Sequence, residues 1–297
     1  MMYLKKMLLT TIFVLFFGYN VTYSLSVENA GNNTPIVTFI SDDNKSDFLS
    51  IEKPIFDKYK IKSTLAVITD TVGSEDSLTL EQLKQLQEEG FEVVSHSKTH
   101  SKNIFKASEY DLNSVSDENI LEEYKESSEW LKSNGFKGFD VIVYPWGEFG
   151  NETYRYIELA SKYYKYGINA TPYNKDYNDM YINRLFLNKN NSIDKYKKAI
   201  DKIIENNGWL ILGIHSNTEE MSSEYLEEII SYMQNKDIQI LPFEEAVKLN
   251  NEYVYSEKYI SKKKILLVGA SILLFAVSLY LIQRKYKKHE ISKQIML

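Results

Sequence analysis

Short apolar runs alternate with stretches whose apolar residues recur at helical spacing through most of this chain. Ile36 to Ile40 precedes the amphipathic stretch Phe48 to Tyr59, and Ser63 to Thr69 precedes Leu78 to Glu89. Phe91 to Ser95 leads to Ile120 to Ser133, Val141 to Tyr144 to Glu152 to Tyr164, and Tyr181 to Leu187 to Ile193 to Asn206. Trp209 to Ile214 then leads to Glu224 to Met233, and Ile238 to Leu241 to a short last helix, Phe243 to Leu249. The runs predict strands and the spaced stretches predict helices. Ser77 and Thr79 are candidate caps for the second helix, while Gly90 and Gly135 mark two helix ends. Repeated strand-helix order predicts a parallel sheet with helices outside, and this many units predict an α/β barrel. Ser101 to Glu118 is polar and weakly periodic, so a loop is expected there.

The two ends break this rhythm. Lys5 and Lys6 precede the apolar stretch Met7 to Phe17, with small or polar residues up to Ser26, so residues 1–26 are expected to be a secretory signal. Ile265 to Ile282 holds no charged residue. As a helix it would span about 27 Å, near the hydrocarbon thickness of a bilayer. We expect a transmembrane helix at 265–282, a juxtamembrane linker at 259–264 and a cytoplasmic tail at 283–297, whose basic residues agree with the positive-inside rule. Residues 27–258 then form one extracellular domain of the size of a barrel.

Composition narrows the chemistry. The 297-residue chain has no cysteine, which excludes thiolate catalysis and cysteine-ligated metals. Its formal charge of −6 includes both basic ends, so nucleic acid is not an expected partner.

Three of the four histidines stand at the ends of apolar runs: His96 and His100 after Phe91 to Val94, and His215 after Trp209 to Ile214. The run Ile36 to Ile40 ends at the adjacent carboxylates Asp42 and Asp43. Catalytic groups of barrels gather at strand C-termini, so these residues are expected to share one site. An aspartate and two histidines can bind a divalent cation and leave positions open, with a further carboxylate as base. In an extended segment Asp42 and Asp43 point to opposite sides, so one can ligate while the other faces substrate. His96 and His100 converge on one ion if Ser97 begins a helical turn.

The order Thr38-Phe39-Ile40-Ser41-Asp42-Asp43-Asn44, His96-Ser97-Lys98-Thr99-His100, Tyr144-Pro145-Trp146-Gly147-Glu148 and Ile211-Leu212-Gly213-Ile214-His215 resembles the successive motifs of the polysaccharide deacetylases, carbohydrate esterase family 4, with the NodB homology domain. The resemblance implies a distorted (β/α) barrel and removal of acetyl groups from N-acetylglucosamine-type residues of a polysaccharide. It implies Asp43, His96 and His100 as ligands of a divalent metal, zinc by preference, with Asp42 as general base and His215 as general acid. The backbone N–H of Trp146 is implied as oxyanion donor.

Several positions depart from the family pattern. Asn44 replaces the usual glycine, and asparagine tolerates the left-handed conformation. The arginine usual before the third motif's proline is missing, and Arg184 is the candidate to orient the base. The fourth motif's aspartate and tryptophan are not recognisable, which leaves His215 without an assigned partner. Gly213 stands where a leucine commonly lines the acetyl pocket. The expected protein is thus a membrane-tethered glycan N-deacetylase at the cell surface, with an O-acetyl carbohydrate esterase or a surface glycan-binding protein as the rival readings.

Overall fold

A computed structural model describes residues 34–249 except 107–114, 148, 150, 151 and 171–178. The proposed signal, linker, transmembrane helix and tail lie outside the described residues. Among the described residues no helix is long and apolar enough to cross a membrane.

Among the described residues eight parallel strands form one sheet: β1 (Ile36–Asp42), β2 (Thr64–Val67), β3 (Glu92–Ser95), β4 (Gly138–Val143), β5 (Tyr166–Ile168), β6 (Leu185–Phe186), β7 (Trp209–His215) and β8 (Gln239–Ile240). The spatial order is β5-β4-β3-β2-β1-β7-β6, with β8 beside the start of β1. Helices follow most strands: α1 (Phe48–Ile51) and α2 (Lys53–Tyr59), α3 (Leu80–Glu88), α4 (Lys102–Phe105), α5 (Asp117–Ser133), α6 (Thr153–Ala160), α7 (Ile193–Asn206) and α8 (Ser223–Gln234). Residues 243–249 form the last helix among the described residues.

The result is a parallel α/β half-barrel. Its edge strands are joined through the segment ahead of β6 by one bridge, Ile168 to Ile182, instead of a full ladder. The expected strand Tyr181 to Leu187 therefore shrinks to Leu185–Phe186, because its first half meets β5 and its second half meets β7. Tyr166–Ile168 was not expected; at three residues it is too short for periodicity to reveal. Pro54 splits the expected helix Phe48 to Tyr59 in two at Glu52. Within the expected loop Ser101 to Glu118, residues Lys102–Phe105 form a short helix and α5 begins at Asp117.

Period-two alternation sorts most strand side chains into two cores, while Ile142 of β4 joins a third with α5 and α6. Val37 and Phe39 of β1, Leu65 and Val67 of β2, Val93 of β3, and Leu212 and Ile214 of β7 join a cluster with the helices. The alternate residues Ile40, Ala66, Val94, Val141, Val143 and Ile211 gather with Ile168, Ile182, Phe243 and Val247 in the barrel interior. Asp42 lies two residues beyond Ile40, and His215 four beyond Ile211, so both continue the interior set at its C-terminal mouth. The register pairs Asp42 directly with His215.

Candidate active site

The loop after β1 turns at once, with φ of 68° at Asp43 and 40° at Asn44. Asp43 is therefore not extended as expected; the turn, rather than strand alternation, separates its carboxylate from that of Asp42. Asn44 holds the left-handed position expected of it. Its buried Oδ1 also accepts from the Ile68 N–H at 2.9 Å, which ties the loops after β1 and β2 together.

The His96 to His100 segment is no helical turn. Ser97 and His100 are both left-handed, at φ 65° and 57°. Two serine hydroxyls brace this turn: Ser95 Oγ accepts from Ser97 N–H at 3.1 Å, and Ser97 Oγ from His100 N–H at 3.0 Å. Glu123 of α5 receives Thr99 N–H at 2.9 Å and Thr99 Oγ1 at 2.6 Å. The four-residue spacing was legible, but the backbone that makes it converge was not.

His96 donates Nδ1–H to the Val143 carbonyl at 2.7 Å, which leaves Nε2 facing the site as an acceptor. That nitrogen lies 3.5 Å from Asp43 Oδ1, and His100 Nε2 lies 3.9 Å from the same oxygen. Potential ligand atoms of Asp43, His96 and His100 all fall within 4.8 Å of one another. Asp43 Oδ1 is buried without a hydrogen-bond partner, an arrangement that costs free energy unless a cation completes it. Burial and the neighbouring His96 push His100 down to about 3, so it is neutral and able to ligate. The donor set, one oxygen with two nitrogens, fits a divalent metal.

Asp42 is buried, which by itself would raise its pKa. The Arg184 guanidinium, His96 and His215 outweigh this and hold it below the usual carboxylate range. Arg184 donates Nη1–H to Asp42 Oδ1 at 2.7 Å and Nε–H to the Asn169 carbonyl at 3.0 Å, so the structure brings Arg184 against Asp42. The other oxygen of Asp42 lies 3.7 Å from His96 Nε2 and 3.9 Å from His215 Nε2.

His215 sits beside Asp42 on the neighbouring strand. Burial opposes its charge, yet Asp42 and Glu220 hold its pKa above the ordinary histidine value. Glu220 accepts its Nδ1–H at 2.9 Å, supplying the partner that sequence left unassigned. The Asn217 Oδ1, which accepts from the N–H groups of Glu219 and Glu220, sets that carboxylate, and only the Thr218-Glu219-Glu220 run hinted at it. Phe186 stacks on His215 at 4.8 Å between centroids, and the Arg184 guanidinium lies 4.5 Å from the same ring. A side chain at Gly213 would meet Phe186 at 3.1 Å, so the phenyl ring fills the room a leucine would take there.

Trp146 caps the mouth, 38% exposed, with its ring 4.8 Å from that of His100 and its Nε1–H donated to the His100 carbonyl at 3.2 Å. The turn at Trp146 and Gly147 is left-handed at both residues, and any Cβ at Gly147 would stand 2.0 Å from that of Ala170. Beside it a groove is lined by Asp43, Lys45, Thr71, Asp76, His100 and Trp146, among others. Behind the site, buried Glu52 receives hydroxyl hydrogen bonds from Ser41 and Ser216, and burial pushes its carboxyl up to about 7. No motif singled it out.

With the geometry in view, the likenesses are specific. The family model for polysaccharide deacetylase matches residues 29–164. A poly-beta-1,6-N-acetyl-D-glucosamine N-deacetylase of Staphylococcus aureus is 29% identical over 141 residues, which cover 45% of this chain and 48% of that enzyme. The chain thus spans about half the length of the curated relatives it matches. Among solved structures, a family 4 acetyl xylan esterase from Clostridium thermocellum, in complex with a cobalt ion, superposes with a TM-score of 0.51 at 15% identity, covering 73% of this chain and 92% of that one. The Xyl-CE4 domain of a multidomain xylanase from the hindgut metagenome of Trinervitermes trinervoides does so with a TM-score of 0.51 at 18% identity, again over 73% and 92%. At these identities the two structures speak for the fold, and the sequence match speaks for residues 29–164, which match the polysaccharide deacetylase family model.

Proposed function

We propose that the protein is a metal-dependent hydrolase that removes N-acetyl groups from N-acetylglucosamine-type residues of a cell-wall or extracellular polysaccharide. The observation that carries this reading is the set of three donors, Asp43, His96 and His100, flanked by ionised Asp42 on one side and His215 beyond it. Asp43, His96 and His100 would hold the ion, which when bound polarises the amide carbonyl and acidifies water.

The chain's own residues divide the proton work. Asp42, kept charged by Arg184, accepts a proton from the attacking water. His215, kept above its ordinary pKa by Asp42 and Glu220, delivers one to the amine nitrogen as the C–N bond breaks. Acetate and a free amino sugar result. Trp146 N–H serves as donor to the acyl oxygen, and the Trp146 ring covers His100 and sheds water from the site.

In this reading residues 1–26 direct export and 265–282 anchor the domain outside the cell. Protease added to intact cells should then remove the domain while a tag after Leu297 stays protected. A tag cleaved from outside would reverse the orientation.

The activity test is acetate release from poly-N-acetylglucosamine, peptidoglycan, chitin oligomers and acetylated xylan, before and after chelation. Metal-dependent release from an N-acetylated polymer is expected. Release from acetylated xylan alone would make the protein an O-acetyl esterase, and tight glycan binding without release would make it a binding protein.

A further inference from the structure

The proton donor and acceptor sit on neighbouring strands, and the chain has to hold those two strand ends in fixed relation. Asp42 and His215 are register partners on β1 and β7 and face the barrel interior. The residues beside them, Ser41 and Ser216, alternate to the opposite face, toward the helices. There they meet one carboxyl group. Glu52, wholly buried at the junction of α1 and α2, accepts from Ser41 Oγ through Oε2 and from Ser216 Oγ through Oε1.

We propose that Glu52 is a positioning residue that clamps the base-bearing strand end to the acid-bearing one through the Ser41 and Ser216 hydroxyls. Both serines are themselves at most 2% exposed, so water does not compete for these bonds. The clamp also lies where the strand pairing stops: β1 ends at Asp42 and β7 at His215. Beyond that point no ladder of backbone hydrogen bonds fixes the spacing of the two chains. The backbone at Glu52 is pinned in turn, because its carbonyl receives the N–H groups of Ile55 and Phe56 at 3.0 and 2.9 Å. A carboxyl group there costs desolvation that an apolar residue would avoid. Its two ends, each on a serine adjacent to a reacting residue, give that cost a use. A displacement of about 1 Å between reacting groups can lower a rate by roughly a hundredfold.

This inference rests on the N-deacetylase reading for its kinetics but not for its geometry. In the full-length chain, Glu52→Ala should lower kcat at least tenfold, with KM within about threefold and bound zinc unchanged. Glu52→Gln keeps an acceptor for one serine and a donor for the other, and should restore kcat to within about threefold. Ser41→Ala combined with Ser216→Ala should match the alanine variant, and adding Glu52→Ala to that pair should cost nothing more. This pair also decides the matter if Glu52→Ala does not fold. Ring-nitrogen NMR of His215 needs no turnover: its signals should move in Glu52→Ala, stay in Glu52→Gln, and move without those of His96 and His100. Wild-type kcat in Glu52→Ala, an amide variant as impaired as the alanine one, or unmoved His215 signals would overturn the clamp. If the wild type releases no acetate, the deacetylase reading falls while the ring signals still judge the clamp.

Discussion

The two ends of the sheet use the same uncommon backbone conformation for opposite purposes. At the strand N-termini, left-handed residues end helices: Lys60 after α2, Gly90 after α3, Gly135 after α5 and Asn207 after α7. At the strand C-termini, Asp43 and Asn44, Ser97 and His100, and Trp146 and Gly147 take it up in the loops that carry the site. Below, the turn satisfies the helix's last carbonyls and reverses the chain. Above, it aims side chains, and non-glycine residues accept a steric cost because the side chain is what the site needs. Buried glutamates repeat the contrast. Glu52 joins the ends of β1 and β7 above, whereas Glu92 below accepts from Thr64 Oγ1 at 2.8 Å and Glu244 N–H at 3.1 Å and so seats the helix at 243–249.

If the upper end is built for chemistry, its largest sensitivity is to the metal donors. Replacing both His96 and His100 by alanine should abolish stoichiometric zinc binding and lower acetate release by 10³-fold or more, since Lewis-acid assistance contributes several kcal/mol. Metal analysis of the purified variant checks this, and full occupancy would remove the site. Folding should survive, because neither histidine belongs to a hydrophobic cluster.

Arg184 tests the same end through stability. It lies at 2% exposure against an equally buried Asp42, so Arg184→Met strands a buried charge and should destabilise by about 3–5 kcal/mol. Adding Asp42→Asn should restore most of the stability but none of the activity, which should stay down by about 10² to 10⁴-fold for want of the base. Denaturant unfolding and acetate release, measured on both variants, separate the two effects. Recovery of activity in the double variant would dismiss Asp42 as the base.

The lower end predicts the reverse pattern. Burial pushes Glu92 up to about 7 from an ordinary 4.5, with Thr64 and the Glu244 N–H partly opposing. The folded protein then holds a proton that the unfolded chain releases above about pH 4.5, so this residue lowers stability as pH rises from there through 7. Glu92→Gln removes that slope. Its melting temperature should gain on wild type between pH 5 and 8, with kcat unchanged. A parallel pair of melting curves across that range would show that Glu92 does not titrate there.

His215 offers a smaller effect at the upper end. Glu220 stabilises its protonated form, so Glu220→Gln lowers its pKa, and the alkaline limb of the pH-rate profile should move to lower pH. A limb left in place would transfer the acid role to another group.

Legibility divided along the same line. Strands and helices were readable because alternation and helical spacing are set by burial, and α7 (Ile193–Asn206) fell within its expected bounds. Gly90 and Gly135 announced their turns because glycine accepts positive φ without strain. Asp42, Asp43, His96, His100 and His215 were findable as scarce ionisable residues at the ends of apolar runs, and Arg184 through the resemblance. The histidines converge as expected but not through a helical turn, since serine and histidine give no sign that they will turn left-handed. Glu52 and Glu220 were missed because a carboxylate's importance lies in its partners, which are far in sequence for Glu52 and fixed by an Asn217 turn for Glu220.

The smallest prediction sharpens the contrast at single residues. Lys60 stands at φ 55° with its side chain in solvent, so its Cβ brings strain and no contact the fold needs. Left-handed L-residues cost about 1–2 kcal/mol, part of which glycine returns as unfolded-chain entropy, so Lys60→Gly should stabilise by up to about 1 kcal/mol. Acetate release should not change. Asn44→Gly relieves the same strain at φ 40° but deletes the acceptor for the Ile68 N–H, a buried donor left unpaired at about 1–3 kcal/mol. It should therefore lower stability and loosen the loop that carries Asp43. Paired melting curves and zinc titrations decide this. If both glycine variants stabilise and both keep zinc affinity, the turns at the two ends of the sheet are interchangeable and the division drawn between them fails.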